Sequence, residues 1–241
     1  MDTSETTLPM GFDRASIVEA ATDPSVVSLR MSLARFASEQ FKKAGDILHV
    51  VGHVWGTDRK TGASPFGHGS DEYVGIAVVL LIASELTECS ANLFEAGQSY
   101  AAAALLRQMV ELEYLAWAFE ARDHDAEKWL RSDKNERQEF FKPSKLRDAA
   151  KGRFRGKDYG YHCELGGHPT PQSLILLEND ALTSQLLLSD LLGHVGRIWD
   201  HIAGWARENK EDSLLAHHKV LVPRFIEWKS RDLLTRLPPP P

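Results

Sequence analysis

Cysteine is scarce in this sequence: Cys89 and Cys163 are the only two among 241 residues. Two thiols cannot build a disulfide framework, so stability must come from an apolar core, and a 43% hydrophobic composition supplies one. A basic surplus is lacking too. With 28 Lys and Arg against 34 Asp and Glu, the formal net charge is −6, which excludes wholesale coating of nucleic acid and leaves room for a local basic patch. No charged-then-apolar leader opens the chain, so the expected location is cytoplasmic. Long hydrophobic runs are missing as well. The longest, GIAVVLLIA from Gly75, is about half the roughly 20 residues a membrane span needs, and the expectation is a buried helix with no membrane partner.

Strand-like alternation, internal repeats and a Gly-rich phosphate loop are also absent, and what remains is helical periodicity. The pattern predicts an all-α helical bundle: a flexible N-terminal segment with a short helix over 1–24, one domain over 25–237 and a disordered proline tail over 238–241. A long helix is expected from Ser25 to the Gly-, Ser- and Pro-rich stretch after Trp55. A hairpin follows, with helices from Asp71 to about Ala96 and from Ser99 to about Ala121. A polar amphipathic helix is predicted over 123–141 and an irregular connection over 151–173. Two further helices are predicted, from Asp180 to about Asn209 and over 212–237, the latter carrying Pro223 as a kink or first-turn residue.

The helix from Ser99 is apolar around nearly its whole circumference, which marks it as central, and polar groups inside it need partners. Arg107, Glu111, Tyr100 and Tyr114 share one stripe, and Arg107 can pair with Glu111 one turn on, either as a self-satisfied ion pair or as a group that binds an anion. Glu85, Glu88, Asn92 and Glu95 form a second stripe that is either solvated or faces that arginine. Further along, Asp190, His194, Arg197 and His201 recur at helical spacing. They read either as a solvated face or as phosphodiester chemistry, with one histidine as base, another as acid and the guanidinium on the phosphate oxygens.

The stretch YHCELGGHPTP, Tyr161 to Pro171, joins flexible glycines to stiffening prolines and is expected to fix His168 over the central helix, near Arg107 and Glu111. Before it lies a basic segment from Lys142, in which Lys151, Arg153, Arg155 and Lys157 with interleaved Phe154, Tyr159 and Tyr161 can hold phosphates and stack bases. His162, Cys163 and His168, with Glu164 and with Glu85 or Glu88, are also possible metal donors. No C-x-x-C, H-E-x-x-H or paired E-x-x-H supports them, so no metal and no cofactor is assigned.

Together, AAAALLRQMVELEYLAWAF and YHCELGGHPTP resemble a bacterial helical domain-of-unknown-function family with an R-x-x-x-E pair and a Tyr…His-Pro loop. The matching positions are Arg107, Glu111, Tyr161, Leu165 and His168, and the resemblance spans roughly 71–177. That group is in turn distantly similar to the HEPN class of helical bundles. The resemblance implies a protein that binds or cleaves RNA without metal in a defence or toxin-antitoxin setting, as a homodimer or with a cognate protein partner. Candidate catalytic residues are His168, Arg107, Glu111 and Tyr161 from the matched motifs, and His194, Arg197 and His201 from the polar line read above. Active HEPN members place four to six residues between arginine and histidine, whereas RIWDH, Arg197 to His201, has three. The alternative expectation is a non-enzymatic interaction module in which Arg107, Glu111, Tyr161 and His168 form a structural network.

Overall fold

In the computed structural model, which describes residues 13–54, 69–154, 156–178 and 180–236, every regular element is helical, as the periodicity predicts. The long elements are α2 (Pro24–Val54), α3 (Asp71–Glu95), α4 (Ser99–Ala121), α10 (Ala181–Glu208) and α11 (Asp212–Arg231). A short α1 (Arg14–Thr22) precedes them. Between α4 and α10 lie α5 (Asp125–Arg131), α6 (Lys134–Glu136), α7 (Pro143–Ala149), α8 (Gly156–His162) and α9 (Leu174–Leu177). The stretch after Trp55 and the proline tail lie outside the described residues.

Local chemistry sets the boundaries. Asp13 and Asp180 accept the first free backbone N–H groups of α1 and α10, Pro24 sits in the first turn of α2, and Gly97 takes a φ of 72° to end α3 and turn the chain into α4. The predicted helix over 123–141 is broken. Asp133 forms a capping box with Glu136 and starts a new element that runs on as a π-helical turn, Arg137–Phe141. The predicted irregular connection is also more ordered than expected: α8 continues as a second π-helical turn, Cys163–Gly167. Its glycines would weaken an isolated helix, but Tyr159, Tyr161 and Leu165 pack on the core, so tertiary burial overrides local preference.

Helix α4 is the axis, packed between α3, α10 and the α8 turn. Its Leu106, Met109, Val110, Ala116 and Ala118 are almost wholly buried, and so are Leu188, Leu191, Leu192 and Ile198 of α10 facing it. Burying each large aliphatic contributes about 1.5–3 kcal/mol, so this seam holds a large share of the core. Helix α3 is long and apolar enough to cross a membrane by composition, and 67% of its most apolar window is buried inside the bundle.

A saturated ion pair ties the ends together. Arg30 of α2 and Asp232, just after α11, are both fully buried and joined by two hydrogen bonds of 2.6 Å. Arg30 also donates to the Ala21 carbonyl and the Gln185 side chain, at 2.7 Å each, while Asp232 accepts from the Trp228 indole and the Leu234 backbone. No polar atom of the pair is left wanting, which is the condition under which a buried charge pair is tolerated.

Candidate metal centre

Three elements bring five polar side chains together on one flank of α4. Glu113 comes from α4 itself, His162 from the last residue of α8, and Asp190, His194 and Arg197 from successive turns of α10. His162, His194 and Glu113 are buried, while the Asp190 and Arg197 side chains are 37% and 49% exposed and form the mouth.

Glu113 organises the cluster. Its two oxygens divide between neighbours: Oε2 lies 2.6 Å from His194 Nδ1, and Oε1 accepts from Arg197 Nε at 2.8 Å. Burial alone would raise the Glu113 carboxyl, but the His194 hydrogen bond and the charges of His194 and Arg197 outweigh it and hold it at about 2. An ionised carboxylate only accepts, so Nδ1 of His194 carries the ring hydrogen. The Arg197 Nη2, also 2.8 Å from Nδ1, then contributes charge there and no hydrogen bond. In the neutral ring the lone pair is left on Nε2, turned away from Glu113.

That lone pair points at two more donors. His194 Nε2 is 3.4 Å from His162 Nε2 and 3.6 Å from Asp190 Oδ1, and His162 Nε2 is 3.2 Å from Asp190 Oδ2. Desolvation would raise the Asp190 carboxyl, but the His194 charge, the His162 hydrogen bond and Arg197 bring it down to about 2. Tyr161 packs beside His162, and burial together with the Asp190 charge pushes its phenol up to about 12, so it stays protonated. Of the α10 line, read from sequence either as a solvated face or as a catalytic one, His194 is buried while Asp190 and Arg197 stay part exposed. His201 is buried as well, but its Nδ1 meets Glu120 at 2.5 Å, one heptad along α4 from Glu113, and it belongs to a separate pair.

The other sequence-derived residues fall elsewhere. Arg107 donates to Glu111 at 2.9 Å as expected, but the third member of that group is Tyr159, whose hydroxyl donates to Glu111 at 3.0 Å. Tyr161, two residues on, is rotated away toward His162. The YHCELGGHPTP turn does pack over α4: a Cβ on Gly166 would lie 2.6 Å from the Ala103 and Ala104 backbone, and one on Gly167 would lie 2.7 Å from Arg107 Cδ. His168 is exposed at the end of that turn, and only its backbone N–H, bonded to the Cys163 carbonyl, is engaged among the described residues. Lys151 and Arg153 are exposed, Arg155 lies outside the described residues, and Lys157 falls on α8. Glu85, Glu88, Asn92 and Glu95 are exposed, and Glu95 pairs with Arg35.

Two members of the centre were missed or misplaced by sequence reasoning. Glu113 is two residues, hence about 200°, from the Arg107 stripe on a helix buried all round, which is itself the signal that it needs a buried partner. His162 was grouped with Cys163 and His168 because they adjoin in sequence, yet on a helical turn adjacent side chains diverge. A second carboxylate and histidine group, Glu72, His124 and Glu127, is already committed: Glu72 accepts from the Trp205 indole at 3.1 Å and the Glu127 backbone at 3.3 Å, and Glu127 pairs with Arg131. Comparisons with family models, curated proteins and solved structures return no match for this chain.

Proposed function

We propose that this chain is a metalloprotein that binds one divalent transition ion, zinc(II) or a close analogue, through His162 Nε2, His194 Nε2 and Asp190. One observation carries the reading: three donor groups converge with separations of 3.2, 3.4 and 3.6 Å. A tetrahedral ion bonded at roughly 2.0–2.1 Å holds its donors about 3.4 Å apart, so one ion fits this spacing. The Glu113 contact supports it from behind, since a metal-bound imidazole ordinarily gives its other N–H to a carboxylate, which fixes the tautomer. Two nitrogens and one carboxylate leave a fourth position toward the half-exposed mouth, the arrangement of a catalytic rather than a closed structural site. A divalent ion there supplies Lewis acidity and an activated water, so hydrolysis is the reaction class proposed.

The hydrogen bonds weigh against metal-free phosphodiester cleavage by the His194, Arg197 and His201 line: His194 Nδ1 is held by Glu113, and His201 Nδ1 by Glu120. The interaction-module alternative keeps one supporting observation, confined to the Arg107, Glu111 and Tyr159 triangle, whose members mostly satisfy one another. The test is equilibrium dialysis of purified protein against zinc(II). The expected result is one equivalent bound by the wild type and a large loss of affinity in His162→Gln and His194→Gln, with helicity checked by circular dichroism. A folded wild type that binds no stoichiometric zinc overturns the reading.

A further inference from the structure

We propose that Arg197 is a positioning residue of the centre: through Glu113 it holds the His194 ring in the orientation that receives the ion, and so strengthens the binding of a cation although it is itself cationic. This rests on the metal reading above. The contacts of Arg197 lie on the far side of that ring from the ion. Its Nε donates to Glu113 Oε1 at 2.8 Å and its Nη2 is 2.8 Å from His194 Nδ1, whereas the convergence with His162 and Asp190 is at Nε2. What Arg197 touches is the support of a ligand, not the ligand atom that faces the ion.

Glu113 needs that second contact. It is buried, and among the described residues its oxygens find their hydrogen-bond partners in His194 and Arg197. A carboxylate turns easily about its last bond, and a single contact at Oε2 leaves that turn free. The Arg197 bond at Oε1 fixes the plane, and with it the direction in which Oε2 meets Nδ1 2.6 Å away. Helical spacing builds the arrangement: Arg197 follows His194 by three residues on α10, so one carboxylate from α4 reaches both. Without the guanidinium a buried carboxylate keeps one partner, a state costly enough to make the side chain shift or draw in water.

The sign of the effect separates this role from plain electrostatics. A positive charge near a dication opposes its binding, so a field effect alone predicts tighter zinc when Arg197 is removed. Positioning predicts the reverse, because the carboxylate behind a metal-bound imidazole is ordinarily worth about 10–100-fold in affinity.

The test is zinc(II) affinity, measured by competition with a chromophoric chelator, in wild type, Arg197→Gln, Arg197→Lys, Glu113→Gln and the variant carrying both Glu113→Gln and Arg197→Gln, each checked for helicity by circular dichroism. Arg197→Gln is expected to weaken binding about tenfold, and Arg197→Lys, which keeps a donor for Glu113, to recover part of the loss. In the Glu113→Gln background the arginine substitution is expected to weaken binding less than about twofold or to strengthen it, since the group it acts through is gone. A folded Arg197→Gln protein that binds zinc as tightly as wild type, or more tightly, overturns the proposal while the metal reading stands. So does a tenfold loss that persists in the Glu113→Gln background, because Arg197 would then act independently of Glu113. If wild type itself binds no stoichiometric zinc, the metal reading has failed and this proposal with it.

Discussion

Two of the buried ionic clusters among the described residues are built to different rules. At the Arg30 and Asp232 knot one cation meets one anion, both out of water, and the bonds to Ala21, Gln185, Trp228 and Leu234 take up what the pair itself leaves over. At the Glu113, His162, Asp190, His194 and Arg197 cluster the acceptors outnumber the fixed cations, two imidazole nitrogens face each other, and the edge is half open. A saturated pair locks helices together. A convergent set with more anionic than fixed cationic groups and a half-open edge has capacity to bind a cation, and the contrast teaches that charge balance and access, more than burial, separate a strut from a site.

The sharpest way to break this comparison is to remove one half of the knot. Asp232→Ala leaves Arg30 buried and unpaired and is expected to cost about 3–5 kcal/mol in chemical denaturation. A loss under 1 kcal/mol would mean the knot is not a strut. The knot also has a pH signature. Burial would raise the Asp232 carboxyl, but Arg30 and the hydrogen bonds from Leu234 and Trp228 hold it below its ordinary value. A carboxyl lowered by folding adds stability that is complete above its unfolded pKa of about 3.9 and is lost as pH falls through the folded value. Wild type should therefore lose stability more steeply than Asp232→Ala below about pH 4, in a series of urea melts.

At the second cluster the expected cost is in binding more than in folding. Glu113→Gln removes the carboxylate behind His194 without touching a donor to the ion, and is expected to lower zinc affinity about 10–100-fold by calorimetry. An unchanged affinity would make Glu113 a mere packing partner. Between the two clusters in size stands the turn that delivers His162. Gly166→Ala places a methyl 2.6 Å from the α4 backbone, where nothing flexible can yield, and is expected to cost about 1–3 kcal/mol and to weaken zinc binding alongside. The smallest effect is expected from Tyr159→Phe, which removes hydrogen bonds to a part-exposed pair and should cost about 1 kcal/mol in thermal melts with zinc affinity unchanged.

How much of this was legible in the sequence follows from which forces act locally. The long helices were readable because their periodicity and caps are local: Ser99–Ala121 was expected where it lies, and Asp180 caps α10 as its position suggests. The break at Asp133 was hidden because a capping box inside a charged helix looks like ordinary surface polarity. The α8 turn was hidden because its glycines argue for a loop, and only packing against Ala103 and Ala104 makes it helical. Three of the five residues of the candidate site were legible in the same sense: Asp190, His194 and Arg197 share a face by spacing alone. Their partners Glu113 and His162 lie 77 and 28 residues before Asp190 in the chain, and no spacing rule relates residues on different helices. The conspicuous His168 drew attention because prolines follow it, yet the structure turns it to solvent.

The most direct test of the central claim is X-ray absorption spectroscopy of the zinc-loaded protein. The predicted spectrum has an imidazole multiple-scattering pattern from two histidines, nitrogen and oxygen neighbours near 2.0–2.1 Å, and no sulfur shell. A shell near 2.3 Å would put Cys163 on the ion, and the absence of an imidazole pattern would remove His162 and His194; either result contradicts a centre built from His162, Asp190 and His194.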